Sequence, residues 1–421
     1  MNNKNIAALF IVSTLTLANS SFGFEGGLSV GVGMSNTDNV NQEVDNEVSD
    51  TELALTLGAD IQDSSQNSTL DINYQLRESQ YLSDSFGDRS SANGYGRLDV
   101  FTGDRTFGWF ISNDEQDTLL DVADADTPDN RSQRSTMRTG PIVNIRIDPR
   151  DTLRLSHIYS KSVIGDSQAN SEINSTGIDW IHLVSSRTSV TASILSSTVE
   201  PDMFVLNQYE QQNATVGLER RLKYGEFAIK VGHAKIDEPL SVDGDDPDSS
   251  IYSVDLNLAG QLGSLTLSSV KQLQSSGENG FLSETELDIG SQAFALEISK
   301  RTQASASVPF HHGKSEIVLT YSDLVSENVT TGSVREVTSQ SINLIRNLLY
   351  NQTLRLSFNV SERGEANASM ERESLQLVYN KRLGDALNVG CGVARDVRTF
   401  AVGNDEAVSN RGFCNLSYRI R

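Results

Sequence analysis

The segment ESLQLVYNKRLGDALNVGCGV, residues 373–393, decides the fold class of this chain. Apolar residues occupy every second position before the turn at Gly384–Asp385 and again after it. A period of two is typical of β-strands that have one apolar face and one polar face. Such an apolar face packs against a second layer in a soluble protein, or contacts lipid in a membrane barrel.

The same alternation recurs along the chain, most clearly in STLDINYQLRE (68–78), IYSVDLNLAG (251–260) and TLRLSFNV (353–360). In all, the pattern predicts about twenty strands of roughly ten to fourteen residues, within the length range of transmembrane strands and their extensions. Weaker alternation predicts strands at 92–101 and 106–113. Long amphipathic helical patterns are absent from the sequence.

The connections between the predicted strands alternate in length. Short ones include Asp148–Arg150, Ser185–Ser186 and Gly384–Asp385. The long, polar ones are 37–50, 79–91, 114–133, 237–248, 275–295 and 399–408. Outer-membrane barrels have short periplasmic turns on one rim and longer external loops on the other. We therefore predict an all-β fold, a transmembrane antiparallel β-barrel of about twenty strands (range roughly 16 to 22), with longer acidic extracellular loops.

Composition and charge narrow the function classes. The hydrophobic fraction is 37% and the mean hydropathy is -0.33, which is too polar for a bundle of membrane-spanning helices. The net charge of -22 and the pI of about 4.6 argue against a nucleic-acid partner, because phosphate binding needs a basic surface. The acidic excess itself indicates solubility rather than a particular partner.

The N-terminal segment MNNKNIAALFIVSTLTLANSSFG, residues 1–23, predicts a signal peptide. It has a polar start with Lys4, an apolar core over 6–18, and small residues before the expected cleavage after Gly23. An uncleaved anchor is the alternative, but the apolar core is short for a membrane span. The remaining residues, 24–421, form one predicted domain, which we expect in the outer membrane of a Gram-negative bacterium.

The two cysteines, Cys391 and Cys414, fall on neighbouring predicted strands and on the same outward face. In an oxidising compartment they could form a cross-strand disulfide, and two free thiols packed as small apolar groups are an equal alternative. Neither the cysteines nor the histidines have the spacing of a metal site, and no G-x-S-x-G motif is present. The sequence therefore predicts no catalytic residue, metal or cofactor, and no enzyme.

Five arginines are the candidate pore-lining residues, because the alternation places them on the inward face close to short turns. They are Arg146, Arg154, Arg221, Arg355 and Arg382. Such a basic band at the periplasmic mouth could gather anionic glycans or phosphates.

Internal pairing is the reading that we favour for these charges. Glu219, Glu226 and Glu316 share the face and the height of the five arginines. A net basic excess would remain in either case.

Two acidic segments are predicted as extracellular loops, NDEQDTLLDVADADTPDN (113–130) and SVDGDDPDSS (241–250). Neither matches an EF-hand, because the glycine and the closing glutamate are misplaced. Solvated loop charge is the favoured interpretation. The alternative is a divalent ion that tightens the loops against lipopolysaccharide.

Two further segments carry a family resemblance. GVGMSNTDNVNQ (31–42) and residues 126–160, which contain Pro128-Asp129-Asn130-Arg131 and Thr139-Gly140-Pro141, resemble β-barrel porins encoded alongside exopolysaccharide and exosortase systems. The resemblance implies an outer-membrane protein that serves the secretion or surface assembly of polysaccharide. It supplies no catalytic residues.

Three functions follow as hypotheses. The leading one is a passive pore or assembly component for exopolysaccharide export. The others are a general diffusion porin and a surface-structural or adhesive barrel without transport. The expected partners are outer-membrane lipid and lipopolysaccharide, with polysaccharide and its secretion machinery in the leading hypothesis.

Overall fold

The computed structural model describes residues 25–44, 47–119, 127–165, 170–201, 208–237, 248–275, 296–329, 332–349, 351–365, 368–400 and 405–420. The predicted signal peptide, residues 1–23, lies outside this range. Twenty β-strands and one short 3₁₀ helix, Pro128–Asn130, make up the described secondary structure. Among the described residues, no helix is long and apolar enough to span a bilayer.

The strands, in chain order, are β1 Glu25–Thr37, β2 Asp50–Ser64, β3 Ser68–Tyr81, β4 Arg89–Phe101, β5 Phe107–Leu119, β6 Arg131–Arg146, β7 Asp151–Ile164, β8 Ser171–Ser185, β9 Thr188–Pro201, β10 Tyr209–Leu222, β11 Gly225–Asp237, β12 Asp248–Gly260, β13 Gly263–Ser275, β14 Leu296–Phe310, β15 Ser315–Asn328, β16 Val334–Leu349, β17 Gln352–Glu365, β18 Ala368–Leu383, β19 Leu387–Phe400 and β20 Glu406–Ile420.

The strands form one closed antiparallel sheet. Each strand pairs with its neighbours in sequence, and β1 pairs with β20 from Leu28↔Ile420 to Thr37↔Arg411, which closes the ring. Closure gives every wall strand a hydrogen-bonding neighbour on both sides, which a strand in lipid requires because lipid offers no partner for the backbone. The predicted fold class, a twenty-stranded barrel, is confirmed.

The connections are sorted by length between the two rims. Turns that follow even-numbered strands are short, and they share their rim with the start of β1 and the end of β20. The connections after odd-numbered strands include the long ones, so this opposite rim is the extracellular one. Gly384 serves the turn between β18 and β19, where its φ of 65° lies in the left-handed region that glycine adopts without strain.

Another short turn, between β4 and β5, is closed by a carboxylate. Asp104 accepts hydrogen bonds from the hydroxyl of Thr102 and from the backbone N–H and hydroxyl of Thr106. These bonds hold the pKa of Asp104 at about 2, since they stabilise its charged form. The depressed pKa means that the turn keeps its bonds at neutral pH and loses them only as the pH falls through about 2.

The outer face of the sheet carries an apolar belt. On β2 the outward apolar positions run from Leu53 to Ile61, where Ile61 is covered by Ile72 and Tyr74. This length corresponds to about 20 Å of membrane thickness at the usual strand tilt, close to the ~25 Å band of known barrels. A ring of apolar side chains that no other part of a protein covers indicates contact with lipid. Exposed members of the belt are Val30, Val32, Leu55, Leu57, Ile178, Ile194, Val216, Val231, Leu319, Ile342, Leu356, Leu377, Val393 and Leu416.

Aromatic side chains cluster on the outer face near the short-turn rim. Trp180 donates a hydrogen bond from Nε1 to Asp151 Oδ1 at 2.9 Å, so its ring lies against the wall while its polar edge is satisfied. Aromatic girdles of this kind flank the lipid-facing band of outer-membrane barrels. Other exposed aromatic residues of this rim are Phe107, Trp109, Tyr224, Phe310 and Tyr418.

At two places in the ring, adjacent strands separate from each other at their extracellular ends. The β4–β5 ladder stops at Gly94↔Glu115, although β4 begins at Arg89 and β5 continues to Leu119. The β12–β13 ladder stops at Tyr252↔Lys271, although β13 continues to Ser275. The barrel is therefore continuous at the periplasmic rim and has two splits near the extracellular rim.

One strand prediction was too short because of the first split. The alternation predicted a strand at 106–113 and a loop at 114–133, whereas β5 extends to Leu119. The lipid-side register of this extension carries Asn113, Glu115 and Asp117, so the apolar signal that marks a transmembrane strand is missing. The physical reason is that this end of β5 does not face lipid.

The two faces of β17 can be distinguished by fluorescence quenching. We expect a bimane label on Leu356→Cys to be quenched by brominated lipid, because Leu356 lies on the outer face. The same label on Asn359→Cys, on the opposite face of the strand, should be quenched by aqueous iodide. The native cysteines are bonded to each other and do not take the label. Iodide quenching at both sites and no lipid quenching at Leu356→Cys would contradict the membrane-spanning barrel.

Candidate functional site

The inner face of the barrel is polar. On β17 the lumen-facing positions between the two rims are Arg355, Ser357, Asn359, Ser361 and Arg363. The inner faces of β13 to β20 enclose a cavity of about 890 Å³, lined mainly by hydroxyl, amide and guanidinium groups. A surface of this composition replaces the hydrogen bonds of water and remains hydrated.

Arginine dominates one side of this lumen, which we call the arginine wall. It consists of the inner faces of β16 to β20. Among lumen-facing positions here whose side chains the structure describes, one carboxylate occurs, Asp396, which lies 3.5 Å from Arg372. The arginines are Arg335, Arg355, Arg363, Arg372, Arg382, Arg398, Arg411 and Arg419. In a chain with a net charge of -22, this surface has the opposite sign.

The charges on β2 to β4 form ion pairs, one of which, between Asp60 on β2 and Arg419, reaches the arginine wall at 3.3 Å. Arg77 contacts Glu52 at 2.6 Å on the lumen side. Arg97 contacts Asp99 at 2.8 Å along the same strand. This part of the lumen is therefore polar with compensated charge, and the arginine wall stands out as a basic surface.

The five predicted pore-lining arginines have lumen-side registers and exposed side chains. Arg355 and Arg382 belong to the arginine wall, while Arg146 and Arg154 lie on the adjacent strands β6 and β7, and Arg221 lies on β10. They thus form separate groups around the periplasmic mouth rather than one continuous band.

The five arginines were expected to pair with glutamates at the periplasmic mouth, and the structure has a different arrangement there. None of the five arginines forms an ion pair with a described carboxylate. Arg154 donates from Nε to Asn144 Oδ1 at 3.2 Å instead. Glu316, one of the expected partners, accepts a hydrogen bond from the hydroxyl of Ser307. Arg355 and Glu316 lie two strands apart, which keeps them from pairing. Arg221 is directly opposite Glu226 on β11, so there the side-chain conformations and not the register leave the ion pair unformed.

Six of the eight arginines of the arginine wall were not predicted as pore-lining residues from the sequence, and two of these are Arg335 and Arg419. The other four, in the extracellular half, are Arg363, Arg372, Arg398 and Arg411, which line the same cavity. Each stands on the inner side of the alternation and could have been assigned from it. They lie beyond the apolar belt of their strands, where the sequence pattern indicates that the strands approach external loops.

The structure joins Cys391 and Cys414 in a disulfide. The two residues are directly opposite each other on β19 and β20, and Cys414 is opposite Met34 on β1. Their outward register places the bond on the lipid-facing side. It links β20, the strand that closes the barrel, covalently to its other neighbour.

The acidic segments lie only partly within the described residues. Asp114, Glu115 and Asp117 were predicted in a loop and stand on β5, where successive residues point to opposite faces and cannot surround one ion. Residues 120–126 and 238–247 lie outside the described range, so the predicted divalent-ion alternative stays a prediction there. Among the described residues, no cluster of His, Cys, Asp or Glu has the arrangement of a metal site.

The closed sheet, the apolar outer belt and the polar lumen together define the class of this protein. A closed ring of strands is the way in which β-structure satisfies its backbone in lipid. The chain is a transmembrane β-barrel with a porin-like architecture, and it belongs to the outer membrane of a Gram-negative bacterium.

Comparisons with known proteins give structural similarity alone. No protein-family profile matches the chain, and no curated protein matches it in sequence. The FrpB iron transporter from Neisseria meningitidis (F5-1 variant) is similar with 10% identity and a TM-score of 0.46, over 94% of this chain and 82% of that chain.

Two Pseudomonas barrels are also similar. For OccK2 (OpdF) of Pseudomonas aeruginosa the identity is 10% and the TM-score is 0.43, over 95% of this chain and 100% of that chain. For a BenF-like porin from Pseudomonas fluorescens Pf-5 the identity is 8% and the TM-score is 0.43, over 94% and 99%. At this level of similarity, the class of the chain follows from its own closed sheet.

The disulfide should stabilise the closure of the barrel. We expect Cys391→Ala/Cys414→Ala to lower the free energy of unfolding by about 3 kcal/mol, the size expected when a cross-link closes a loop of roughly this length. The change is measured by urea unfolding in detergent, followed by the heat-modifiable migration of the folded barrel. Reduction should destabilise the parent protein equally and leave the double variant unchanged. Equal unfolding midpoints for oxidised parent and double variant would refute this role.

Proposed function

We propose that this barrel is a passive pore whose lumen favours anionic hydrophilic solutes. The arginine wall is the observation that carries the proposal. It presents eight guanidinium groups, on Arg335, Arg355, Arg363, Arg372, Arg382, Arg398, Arg411 and Arg419, against the single described carboxylate of Asp396 on the same surface. At its two edges Arg335 lies 3.9 Å from Glu297 on β14 and Arg419 lies 3.3 Å from Asp60 on β2, so an excess of guanidinium groups remains after these pairs are counted.

The mechanism requires no chemical step. A solute that enters exchanges hydrogen bonds with water for hydrogen bonds with the serine, threonine, asparagine and glutamine side chains of the cavity. Arginine adds a fixed positive charge and a planar fork of donors that matches carboxylate and phosphate groups. Because a polar, low-affinity wall releases what it binds, the same contacts allow the solute to leave.

The cargo class that fits this wall is an anionic glycan, which carries many hydroxyl groups and spaced carboxylates or phosphates. The resemblance of residues 31–42 and 126–160 to porins of exopolysaccharide systems supports export of such a polymer. A general diffusion porin is the second candidate, and the breadth of the hydrated surface favours it, because hydroxyl and amide groups accept many small solutes.

Charge reversal in the lumen tests the proposal. The purified barrel in a planar bilayer should conduct and should prefer chloride over potassium in a salt gradient. We expect Arg355→Glu/Arg382→Glu to move the reversal potential towards cation selectivity, because both side chains face the lumen near its periplasmic mouth. The matched control is Lys381→Glu, compared with the single variant Arg382→Glu, because it makes the same charge change on the outward face of β18 beside Arg382.

The outcomes separate the candidate functions. Block of the current by a carboxylated polysaccharide, but not by a neutral one of equal size, supports the anionic-glycan pore. Conduction without this block leaves the general diffusion porin. A barrel that is folded by heat-modifiable migration but electrically silent contradicts both pores and supports the surface-structural alternative. Equal shifts in reversal potential for Arg382→Glu and the Lys381→Glu control would refute the role of the arginine wall.

A further inference from the structure

At the β12–β13 split, the strand end that leaves the ladder lies inside the barrel. Leu273 has the outward register of β13, yet it is 2% exposed and packs on Ile236 and Ala234, which have the inward register of β11. The outer face of β13 therefore covers the inner face of β11. The remaining members of this apolar cluster are Val199 and Tyr209, with Ile173, Ile251, Ile298 and Val329 packed against it.

A hydrogen bond fixes the same overlap. Gln211 on β10 donates from Nε2 to the backbone oxygen of Leu273 at 2.9 Å, although two strands separate β10 from β13 in the ring. In an undistorted barrel wall Gln211 could not reach Leu273. Adjacent strands are about 4.8 Å apart, and the side chain of Gln211 would have to extend across β11 and β12. The end of β13, with its partner β14, is thus folded inward onto the wall.

The β4–β5 split has the same geometry with polar contacts. Arg89 has the inward register of β4, and it binds Asp117, which has the outward register of β5, through two hydrogen bonds. The backbone N–H of Asp117 donates to Asn93 Oδ1 at 2.8 Å. Here too the later strand lies inside the earlier one.

The open edge of β4 at this split is satisfied by a side chain. Gln133 accepts from the backbone N–H of Ala92 at 2.9 Å and donates to the oxygen of Ala92 at 2.6 Å, as a neighbouring strand would. The last paired residue of β4, Gly94, has φ 135°, and a Cβ there would lie 2.0 Å from the backbone oxygen of Asn73. Glycine is therefore needed where β4 leaves β5.

We propose that these two inward-folded strand ends form the size-limiting constriction of the pore at its extracellular end. This inference rests on the proposed pore function. Each overlap places part of the wall inside the ring, so the circumference is smaller at the extracellular rim than at the continuous periplasmic rim. The two overlaps are eight strands apart, on different sides of the lumen, and narrow it from both.

The apolar overlap is tested by Leu273→Asp. A carboxylate buried against Ile236 is strongly unfavourable, so the end of β13 should leave the wall. We expect conductance to rise on the order of twofold, since pore area grows with the enclosed ring. We also expect a larger polyethylene glycol to enter. The control is Thr266→Asp, which adds the same charge on the lumen face of β13 without touching the cluster.

The polar overlap is tested by charge exchange. Arg89→Glu and Asp117→Arg should each raise the conductance and the size limit, because each places like charges together. The double variant Arg89→Glu/Asp117→Arg should return both values part of the way to those of the parent, because the pair with residue 89 is restored while Arg131, 3.4 Å from Asp117 in the parent, then faces a like charge. Heat-modifiable migration verifies that each variant has folded. Unchanged conductance and size limit in Leu273→Asp and in both single exchange variants, all folded, would overturn the proposal.

A labelling measurement keeps this inference separate from the proposed pore function. Ile236→Cys, whose parent side chain is fully buried, should resist a water-soluble maleimide and become reactive when Leu273→Asp is added. Rapid labelling of Ile236→Cys in the otherwise unchanged protein would show that β13 does not cover the wall and would overturn the constriction even if the barrel conducts. A silent barrel with protected Ile236→Cys would refute the pore, and with it the size-limiting role of the overlaps.

Discussion

The backbone of a strand in lipid has no partner except another strand, and this constraint determines the architecture of the protein. The β1–β20 ladder meets it by closing the ring, and the disulfide between Cys391 and Cys414 joins the closing strand to β19 on the side away from β1. The constraint weakens at the extracellular rim, where strands extend above the lipid. Both splits of the wall occur there, where water and side chains can take over the hydrogen bonds of the ladder.

The sequence predicted the barrel well because a membrane-spanning strand uses the simplest of patterns, a side-chain period of two. Val389, Cys391 and Val393 alternate with glycine and asparagine, and the structure places them on the outer face of β19. The same parity assigned Arg355 and Arg382 to the lumen side. Parity contains neither the distance around the ring, which separates Arg355 from Glu316, nor the side-chain conformation, which leaves Arg221 unjoined to Glu226 opposite it. For these reasons the expected pairing of the mouth arginines with glutamates differs from the structure.

The inward-folded strand ends could not be predicted, because the pattern does not distinguish lipid from a protein wall. Leu273 and Ile298 continue the lipid-side register of their strands, but they contact the inner faces of other strands. On β5 the sequence led to the opposite error, because a loop was predicted where the strand continues. Glu115 and Asp117 occupy lipid-side positions and therefore indicated a loop, although they are strand residues turned towards β4 and β6. Only the three-dimensional path of the wall resolves such positions.

The use of arginine instead of lysine on the lumen face of β16 to β20 supports recognition of solutes there rather than general charge compensation. On the arginine wall every lumen-facing basic residue that the structure describes is arginine, whereas the outward face of the same strands carries Lys381 as well as Arg346 and Arg395. Lysine would supply an equal charge, but as a strongly hydrated point, while the guanidinium presents a planar set of donors at low hydration. A surface that only balanced the acidic loops would have no reason to exclude lysine from its lumen side. A surface that contacts carboxylates, phosphates or sugar hydroxyls during passage does, because the geometry of those contacts then matters as much as their charge.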